Sequence, residues 1–544
     1  MPTLRWLTRD EDVRAAEKVP YRLLEEDPTL GYGDRDTGNM LIQGDNLEAL
    51  KSLLPFYAGQ VKCIYIDPPY NTGSAFEHYD DNLEHSQWLA MMWPRLELLR
   101  NFLTDDGFFL VQIDDAQGPY LKVLCDEAFG RSNYQTTLYV QVRYAQKTLK
   151  QDMKYHKQVE QVLVYRASVN AVPVQPVVRN EDAFEKFNLE ITTKGEGQTV
   201  QMGGKEVTVF RKDEYDIVKR SNGWVDGLKE IWASGSILDG NSSGRFFRDH
   251  LAGRADSDGL GVLYKVPNVG DDAFDHRYFT GPKRDGATKG KYYQGVPMDK
   301  RSDQVAEQAQ PIPNFHDHAG AFGNCRLEGD TDFRSGKKPE VWLQYLLERF
   351  SGDGDLILDS FLGSGSTAAT AAKLGRRFIG IEMGKHAETH CQARLKYVVD
   401  GDQTGISESV DWQGGGGFRF YRLGSPVFDD MGQLQPDIRF ATLAAHIWFS
   451  EMNGPWTQPD TLSPFLGALG GHGLALLYNG ILGDKSVNGG NVLTRATLRT
   501  IRDAAGGFDG PLTIYGERTV LADASLEEEG ITFKQTPYDV RARK

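Results

Sequence analysis

An α/β fold with an open sheet is what this sequence predicts, and two stretches carry that reading. In Cys63-Ile64-Tyr65-Ile66-Asp67-Pro68-Pro69-Tyr70-Asn71-Thr72-Gly73, a run of β-formers ends in one carboxylate, two prolines and an aromatic ring. The stretch 355–382 reads as strand, glycine loop, helix and strand, with an acid at its end. A third observation sets the scale: 544 residues, 40% hydrophobic and 25% charged, are enough for several globular domains with sizeable cores.

The first 38 residues are polar and mixed in charge, which predicts an arm or docking segment. Residues 40–43 form a short strand and 44–46 a turn. Asp45 or Asn46 then caps a helix whose apolar face is Leu47, Leu50, Leu53 and Leu54. The next strand, 61–66, ends at Pro68 and Pro69, which have no N–H to continue a ladder. Asp67 precedes a proline and is pushed towards an extended conformation, so its carboxylate is held at the carboxyl end of a strand. In open α/β sheets that edge is where ligands sit.

From 84 to 105 the spacing predicts a helix interrupted near Pro94. Trp88, Met92, Leu96, Leu99 and Leu103 mark its buried stripe, and Met91 and Trp93 read as core or interface. Gly107 is expected to end it, with 108–113 as a buried strand. Asp114 and Asp115 at that strand's end read as a cap for a helix over 120–129 rather than a metal pair. Residues 131–160 then turn basic and aromatic: Arg131, Arg143, Lys147, Lys150, Lys154 and Lys157 face only Asp152 and Glu160, with Tyr134, Tyr139, Tyr144 and Tyr155 interleaved. Such a segment suits phosphate contacts and base stacking, or else is a solvated charged face. A strand over 158–166 follows.

Periodicity fades over 167–330, where turn residues cluster at 241–245 and 281–286. The stretch is too long for one loop and predicts an inserted domain with many loops. His316-Asp317-His318 lacks a further ligand, and we assign no metal. Pro339, preceded by Lys338, suits the first turn of a helix running to 350. Strand 356–359 ends at Asp359. The loop Ser360-Phe361-Leu362-Gly363-Ser364-Gly365-Ser366, a helix over 367–374 and a strand over 377–382 ending in Glu382 follow. There is no third glycine of a dinucleotide fingerprint and no P-loop lysine, so a ligand without pyrophosphate fits better than NAD or ATP. Beyond a glycine hinge at 414–417, strands at 474–478, 512–515 and 531–534, with a helix across 492–505, form a further unit.

The net charge of −15 argues against a chain coated in basic residues, so contact with a polyanion must be local. Cys63, Cys125, Cys325 and Cys391 lie far apart without metal or disulfide spacing, which suits a reducing cytoplasm. No signal peptide and no apolar run long enough for a bilayer are legible, so no membrane partner is expected.

Asp-Pro-Pro-Tyr suits one chemistry well. An exocyclic amino group on a base is a poor nucleophile because its lone pair is delocalised into the ring. A fixed carboxylate and a neighbouring carbonyl can accept its hydrogens and free that lone pair, while an adjacent ring stacks on the extruded base. The order of motifs, with Asp67-Pro68-Pro69-Tyr70 upstream of Lys338-Pro339 and Phe361-x-Gly363-x-Gly365 and a large insertion between, resembles the β-group of amino DNA methyltransferases. Asn71-Thr72-Gly73, the helix over 88–100 and Ile113-Asp114-Asp115 are similar to the modification (Mod) subunits of type III restriction–modification systems, as is the stretch 532–538. The resemblance covers about 36–166 and 331–400, and the insertion by position only.

This resemblance implies a Rossmann-like S-adenosylmethionine-dependent methyltransferase with circularly permuted motif order. Its parts would be an arm (1–38), a catalytic half (39–166), a target-recognition insertion (167–330), a donor-binding half (331–400) and a C-terminal α/β domain (401–544). By position it makes Asp67, Pro68, Pro69 and Tyr70 catalytic, with Asp67 and Pro68 holding the target amino group and Tyr70 stacking on its ring. Phe361, Gly363 and Gly365 would line the methionine side of the donor, with Asp359 beside them. Glu382 would take the ribose hydroxyls, Asp45 the adenine end, and Lys338 and Pro339 would match the motif before the loop. Asp45 taken alone reads first as a helix cap. Expected DNA contacts are Arg143, Lys147, Lys150, Lys154 and Lys157. The implied activity is site-specific methylation of adenine N6 in double-stranded DNA after base flipping, by a homodimer beside a restriction (helicase–nuclease) subunit. N4-cytosine methylation, or a specificity subunit that mainly guides the nuclease, is the alternative.

Overall fold

The computed structural model describes residues 3–71, 84–146, 155–179, 184–233, 242–270, 272–284, 286–287, 289–298, 301, 307–333, 336–429, 434–435, 438–452, 454–484, 490–536 and 540. The chain divides into two compact units, Met1–Val174 with Pro313–Lys544, and Gln175–Ile312.

The first unit is organised by one sheet. Its main strands, in chain order, are β1 (Met40–Gln43), β2 (Val61–Ile66), β3 (Leu103–Ile113), β4 (Tyr134–Gln141), β5 (Val159–Arg166), β6 (Leu356–Asp359), β7 (Arg377–Glu382) and β8 (Gly417–Pro426). In space they run β8-β1-β7-β6-β2-β3-β5-β4. All neighbours from β8 to β3 are parallel, whereas β5 is antiparallel to both β3 and β4. Helices α1 (Asn46–Tyr57), α2 (His85–Arg100), α3 (Gly118–Cys125), α4 (Glu340–Phe350), α5 (Ser366–Lys373) and α6 (Ala393–Val399) accompany it. Val61, Cys63, Ile64, Tyr65 and Ile66 of β2 are all buried, as a parallel strand covered on both faces requires.

The strand order places the ligand cleft. From β6 the chain winds through α5 to β7 on one side, and from β2 through α2 to β3 on the other. Winding therefore reverses between adjacent β6 and β2, and the crevice at their carboxyl ends is the switch point of the sheet. The glycine-loop half follows the Asp67 half in sequence yet lies beside it in space, which is the permuted arrangement expected.

Several expectations need correction. Helix α2 runs unbroken through Pro94. Trp88, Met92, Leu96 and Leu99 are fully buried. At about 1.5–3 kcal/mol each, they outweigh the roughly 3 kcal/mol of an interior proline. Gly107 does not end that helix but lies inside β3, where a Cβ would sit 3.0 Å from the Thr104 carbonyl and 3.1 Å from that of Val61. The register of β2 against β3 shifts nearby, so the glycine marks an irregularity in pairing. The first 38 residues are more than an arm: Arg22–Glu26 extends the sheet antiparallel to β8.

The second unit is more regular than its sequence implies. It holds an eight-stranded sheet, all antiparallel, in the order Gln198–Met202, Lys205–Phe210, Leu263–Pro267, His276–Thr280, Gly290–Gly295, Leu228–Ala233, Leu189–Thr193 and Tyr215–Lys219. Val207, Phe247, Leu251, Tyr264 and Phe279 anchor its core, and Ser242–Phe246 is helical where the residues read as a turn. The strands of this sheet are only five or six residues long, and those at Leu189–Thr193, Gln198–Met202, Lys205–Phe210 and Tyr215–Lys219 are mostly half-exposed or exposed, which leaves too short an alternation to stand out.

Within the first unit, His472–Leu476, Leu512–Gly516 and Ile531–Gln535 are parallel strands with a helix at Arg495–Ala504, close to the expected positions. Among the described residues no helix is long and apolar enough to cross a membrane.

Candidate active site

Four adjacent parallel strands, β1, β7, β6 and β2, each deliver an acid at the carboxyl end: Asp45, Glu382, Asp359 and Asp67 in that order. The sequence-predicted residues of both halves thus meet along one edge.

Asp67 is the centre of the right-hand half. Lys338 Nζ, from the residue pair leading into α4, donates to Asp67 Oδ2 at 2.5 Å. Asp67 Oδ1 is buried and has no hydrogen-bond partner among the described residues. A buried acceptor left unmade costs about 1–3 kcal/mol, so its persistence at a strand end points to a ligand that supplies the donor. Burial pushes the Asp67 carboxyl above its ordinary range. The Lys338 ammonium pulls it back, the charge of Glu160 adds to the rise, and the Tyr70 hydroxyl opposes it. Lys338 is itself held above its usual value: burial disfavours its charge, but Asp67 and Glu160 more than offset this.

Tyr70 donates its hydroxyl hydrogen to Glu160 Oε2 at 2.8 Å, and the Lys338 ammonium lies 5.1 Å from its ring centroid. Burial and the charges of Asp67 and Glu160 keep the phenol protonated. The double-proline turn is pinned from beneath, since Trp88 Nε1 donates to the Pro69 carbonyl at 2.8 Å. Asn71 then takes a left-handed backbone, φ 54°. Thr72 and Gly73 lie outside the described residues.

The left-hand half is the glycine loop. Asp359 Oδ1 accepts from the Phe361 amide at 2.9 Å, and Phe361 is buried in the main core. Gly363 and Gly365 have φ of 59° and 80°, values that favour glycine. The Gly363 amide donates to Glu382 Oε2 at 2.8 Å and the Gly384 amide to Oε1 at 3.2 Å, so Glu382 fastens the loop to β7. Burial pushes Asp359 up to about 7; the Thr367 hydroxyl and the Phe361 amide oppose this, while the charges of Asp67 and Glu382 add to it.

Asp45 is the cap of α1, accepting from the Leu47 and Glu48 amides at 2.9 and 3.2 Å. Its Oδ2 pairs with Arg95 at 3.0 Å, Arg95 donates to Asn46 Oδ1, and Asn46 Nδ2 donates to the Ser360 carbonyl at 2.7 Å. The caps of α1 and the start of the glycine loop are therefore one hydrogen-bonded chain. Pro339 stands as the residue before α4.

The basic segment is placed less simply. Lys147, Lys150 and Lys154 lie outside the described residues. Lys157 is spent on Asp114 and Asp115 at 3.0 and 2.7 Å, and Arg143 donates to the Lys157 carbonyl at 3.2 Å. Asp114 caps the next turn, as its position predicts.

Sequence reasoning missed Glu160, Gln112, Asn46 and Arg95. Gln112 is wholly buried; its Oε1 accepts from Tyr65 at 2.8 Å and Trp342 at 2.9 Å, and its Nε2 donates to Glu160 at 2.6 Å. The available signal was polarity out of place: a glutamine inside an apolar strand, and one acid opening the next.

The family model described as DNA methylase matches residues 61–393, more than half of the chain. The chain belongs to the DNA methylase family. The chain is 33% identical over 404 residues to the Probable type III restriction-modification enzyme HindVI Mod subunit of Haemophilus influenzae, spanning 71% of this chain and 54% of that one. It is 35% identical over 164 residues to the type III restriction-modification enzyme EcoPI Mod subunit of Escherichia phage P1, 24% of this chain and 25% of that one. The chain thus spans about half the length of the first relative and matches a quarter of the second. Among solved structures it is similar to the PvuII DNA methyltransferase (cytosine-N4-specific) at 12% identity and a TM-score of 0.33, over 69% of this chain and 90% of that one.

Proposed function

We propose that this chain methylates the N6 amino group of adenine in double-stranded DNA, after base flipping, with S-adenosylmethionine as donor. In this reading it is the modification and specificity subunit of a type III-like restriction–modification system. The observation that carries the proposal is Asp67, whose Oδ2 is held by Lys338 while buried Oδ1 has no donor among the described residues.

S-adenosylmethionine supplies an electrophilic methyl group on a sulfonium. The residues present fit such a cation: burial and the charges of Asp67 and Glu382 raise the proton affinity of Asp359 between them, a condition that a nearby positive charge relieves. Gly363 and Gly365 shape the loop, and Asp45, Asp359, Phe361 and Glu382 complete the set of residues that would hold the donor. Pyrophosphate, by contrast, has neither a third glycine nor a P-loop lysine to receive it.

Asp67 Oδ1 and the Pro68 carbonyl accept the two amino hydrogens, which draws the nitrogen towards tetrahedral geometry and localises its lone pair. Tyr70 offers a ring for the extruded base, with Lys338 on one face of it. Asp in place of Ser before the two prolines favours adenine by resemblance, and the names of the relatives support a Mod-type role; a helicase–nuclease partner belongs to the resemblance. A homodimer, and action in the cytoplasm where the four buried thiols stay reduced, belong to the same reading. N4-cytosine methylation is the second reading, because the same acceptor pair serves either amino group.

The test is expression in a host without amino-methylated bases, followed by sequencing of its DNA for modified positions and nucleoside mass spectrometry. N6-methyladenine in one recurring context is expected. N4-methylcytosine would move the product to the second reading, and unmodified DNA from cells holding folded protein would overturn both.

A further inference from the structure

We propose that Glu160 is a positioning residue for methyl transfer: it fixes the Tyr70 ring through its hydroxyl and shares Lys338 with Asp67. The inference rests on the reading of Asp67 as the amino-group acceptor.

Glu160 is the second residue of β5, two strands away from β2. Its Oε2 accepts from Tyr70 at 2.8 Å and from Gln112 Nε2 at 2.6 Å, and stands 3.9 Å from Lys338 Nζ. Gln112 cannot turn away, because Tyr65 and Trp342 both donate to its Oε1 and leave only its NH₂ end for Glu160. The carboxylate is thus aimed by a buried chain that links β2, β3, α4 and β5, and it hands that order on to Tyr70.

A neutral side chain could fill the same space. The carboxylate adds two things: one oxygen that accepts from two donors, and a negative charge beside Lys338. Asp67 is faced by Lys338 from the start of α4, Glu160 from β5, Asp359 from β6, Tyr65 from β2 and Tyr70 from its own loop. Lys338 serves two carboxylates, so it neutralises Asp67 only in part. Without the Glu160 charge, Asp67 becomes more acidic. Asp67 must be ionised to accept amino hydrogens, so activity is lost as pH falls through its pKa, and a lower pKa moves that loss to lower pH.

Single-turnover methyl transfer against pH, on the full chain with duplex DNA, tests this. Glu160→Gln should shift the acid limb to lower pH by about one unit and slow the plateau rate about tenfold, with donor affinity unchanged. Glu160→Gln keeps an acceptor oxygen and removes the charge, whereas Glu160→Leu removes the acceptor as well. Tyr70→Phe and Glu160→Leu should each slow the plateau similarly, and the double variant carrying these two should be no slower than the slower single one, because both remove the Tyr70–Glu160 contact. An unmoved acid limb, or losses that multiply, would overturn the role of Glu160. Should Glu160→Gln fail to fold, Tyr70→Phe decides alone, and a wild-type rate there overturns the proposal. Wild-type protein that transfers no methyl group to DNA overturns the reading of Asp67 itself, which separates the two failures.

Discussion

At Asp67 the two carboxylate oxygens have different fates, and Lys338 is the cause. Its ammonium occupies Oδ2 and keeps the acid from rising further, while Oδ1 has no partner among the described residues. Lys338→Met removes the ammonium that holds Asp67 down, so the carboxyl should rise further. The acid limb of methyl transfer then moves to higher pH, the opposite direction from Glu160→Gln, and the rate near neutral pH falls. A pH–rate profile reads this directly; an acid limb left in place would mean that Lys338 does not govern Asp67. The Lys338–Asp67 contact joins residues 271 positions apart, so local sequence could supply the two motifs but not their pairing. Glu160 was harder still: in the sequence it is a minority charge in a basic segment, and only burial against Gln112 and Tyr70 turns it inward.

At the level of elements, the glycine loop was legible because strand, positive-φ turn and helix are all local. Its reason for needing glycine was less so. The resemblance has Gly365 line the donor, which would put any side chain there in the space of the ligand. Instead, a Cβ at Gly365 meets the Cys391 backbone at 3.4 Å and Arg394 at 3.7 Å, inside the protein, on a backbone with φ of 80°. Gly365→Leu should therefore cost roughly 1–2 kcal/mol of conformational strain plus about 1–3 kcal/mol of overpacking. Donor binding would fall because the loop shifts away from Glu382. Melting curves with and without donor check this: a lowered melting temperature in the donor-free protein is expected. Lost donor binding at an unchanged donor-free melting temperature would mean that the side chain enters the ligand space after all. Boundaries were missed where long-range packing decided them. The stripe of α2 carries it through Pro94, and β3 begins as early as Leu103, paired with Val61, with Thr104-Asp105-Asp106 in the irregularity before Phe108 pairs with Cys63.

For the whole molecule, the sequence conveyed the two catalytic halves and an inserted unit but not the eight-stranded sheet inside it, whose short half-exposed strands carry little periodicity. Phosphate contacts only position a protein on DNA, whereas sequence is read by side chains on base edges. With the strand ends of the first unit assigned to donor and target base, we propose that base readout falls to the insertion. Exchanging 167–330, which contains the compact unit Gln175–Ile312, for the matching region of a relative should change the methylated sequence and leave donor affinity alone. Sequencing of methylated DNA from the chimaera decides, and an unchanged site would place specificity in 401–544. All of this depends on Asp67 being the group that prepares the amino nitrogen. The most direct measurement is transfer of a labelled methyl group to duplex DNA by Asp67→Ala, alongside its donor and DNA affinities. Both affinities should stay near wild type while the transfer rate falls by about a hundredfold to a thousandfold or more; transfer at the wild-type rate would contradict the account.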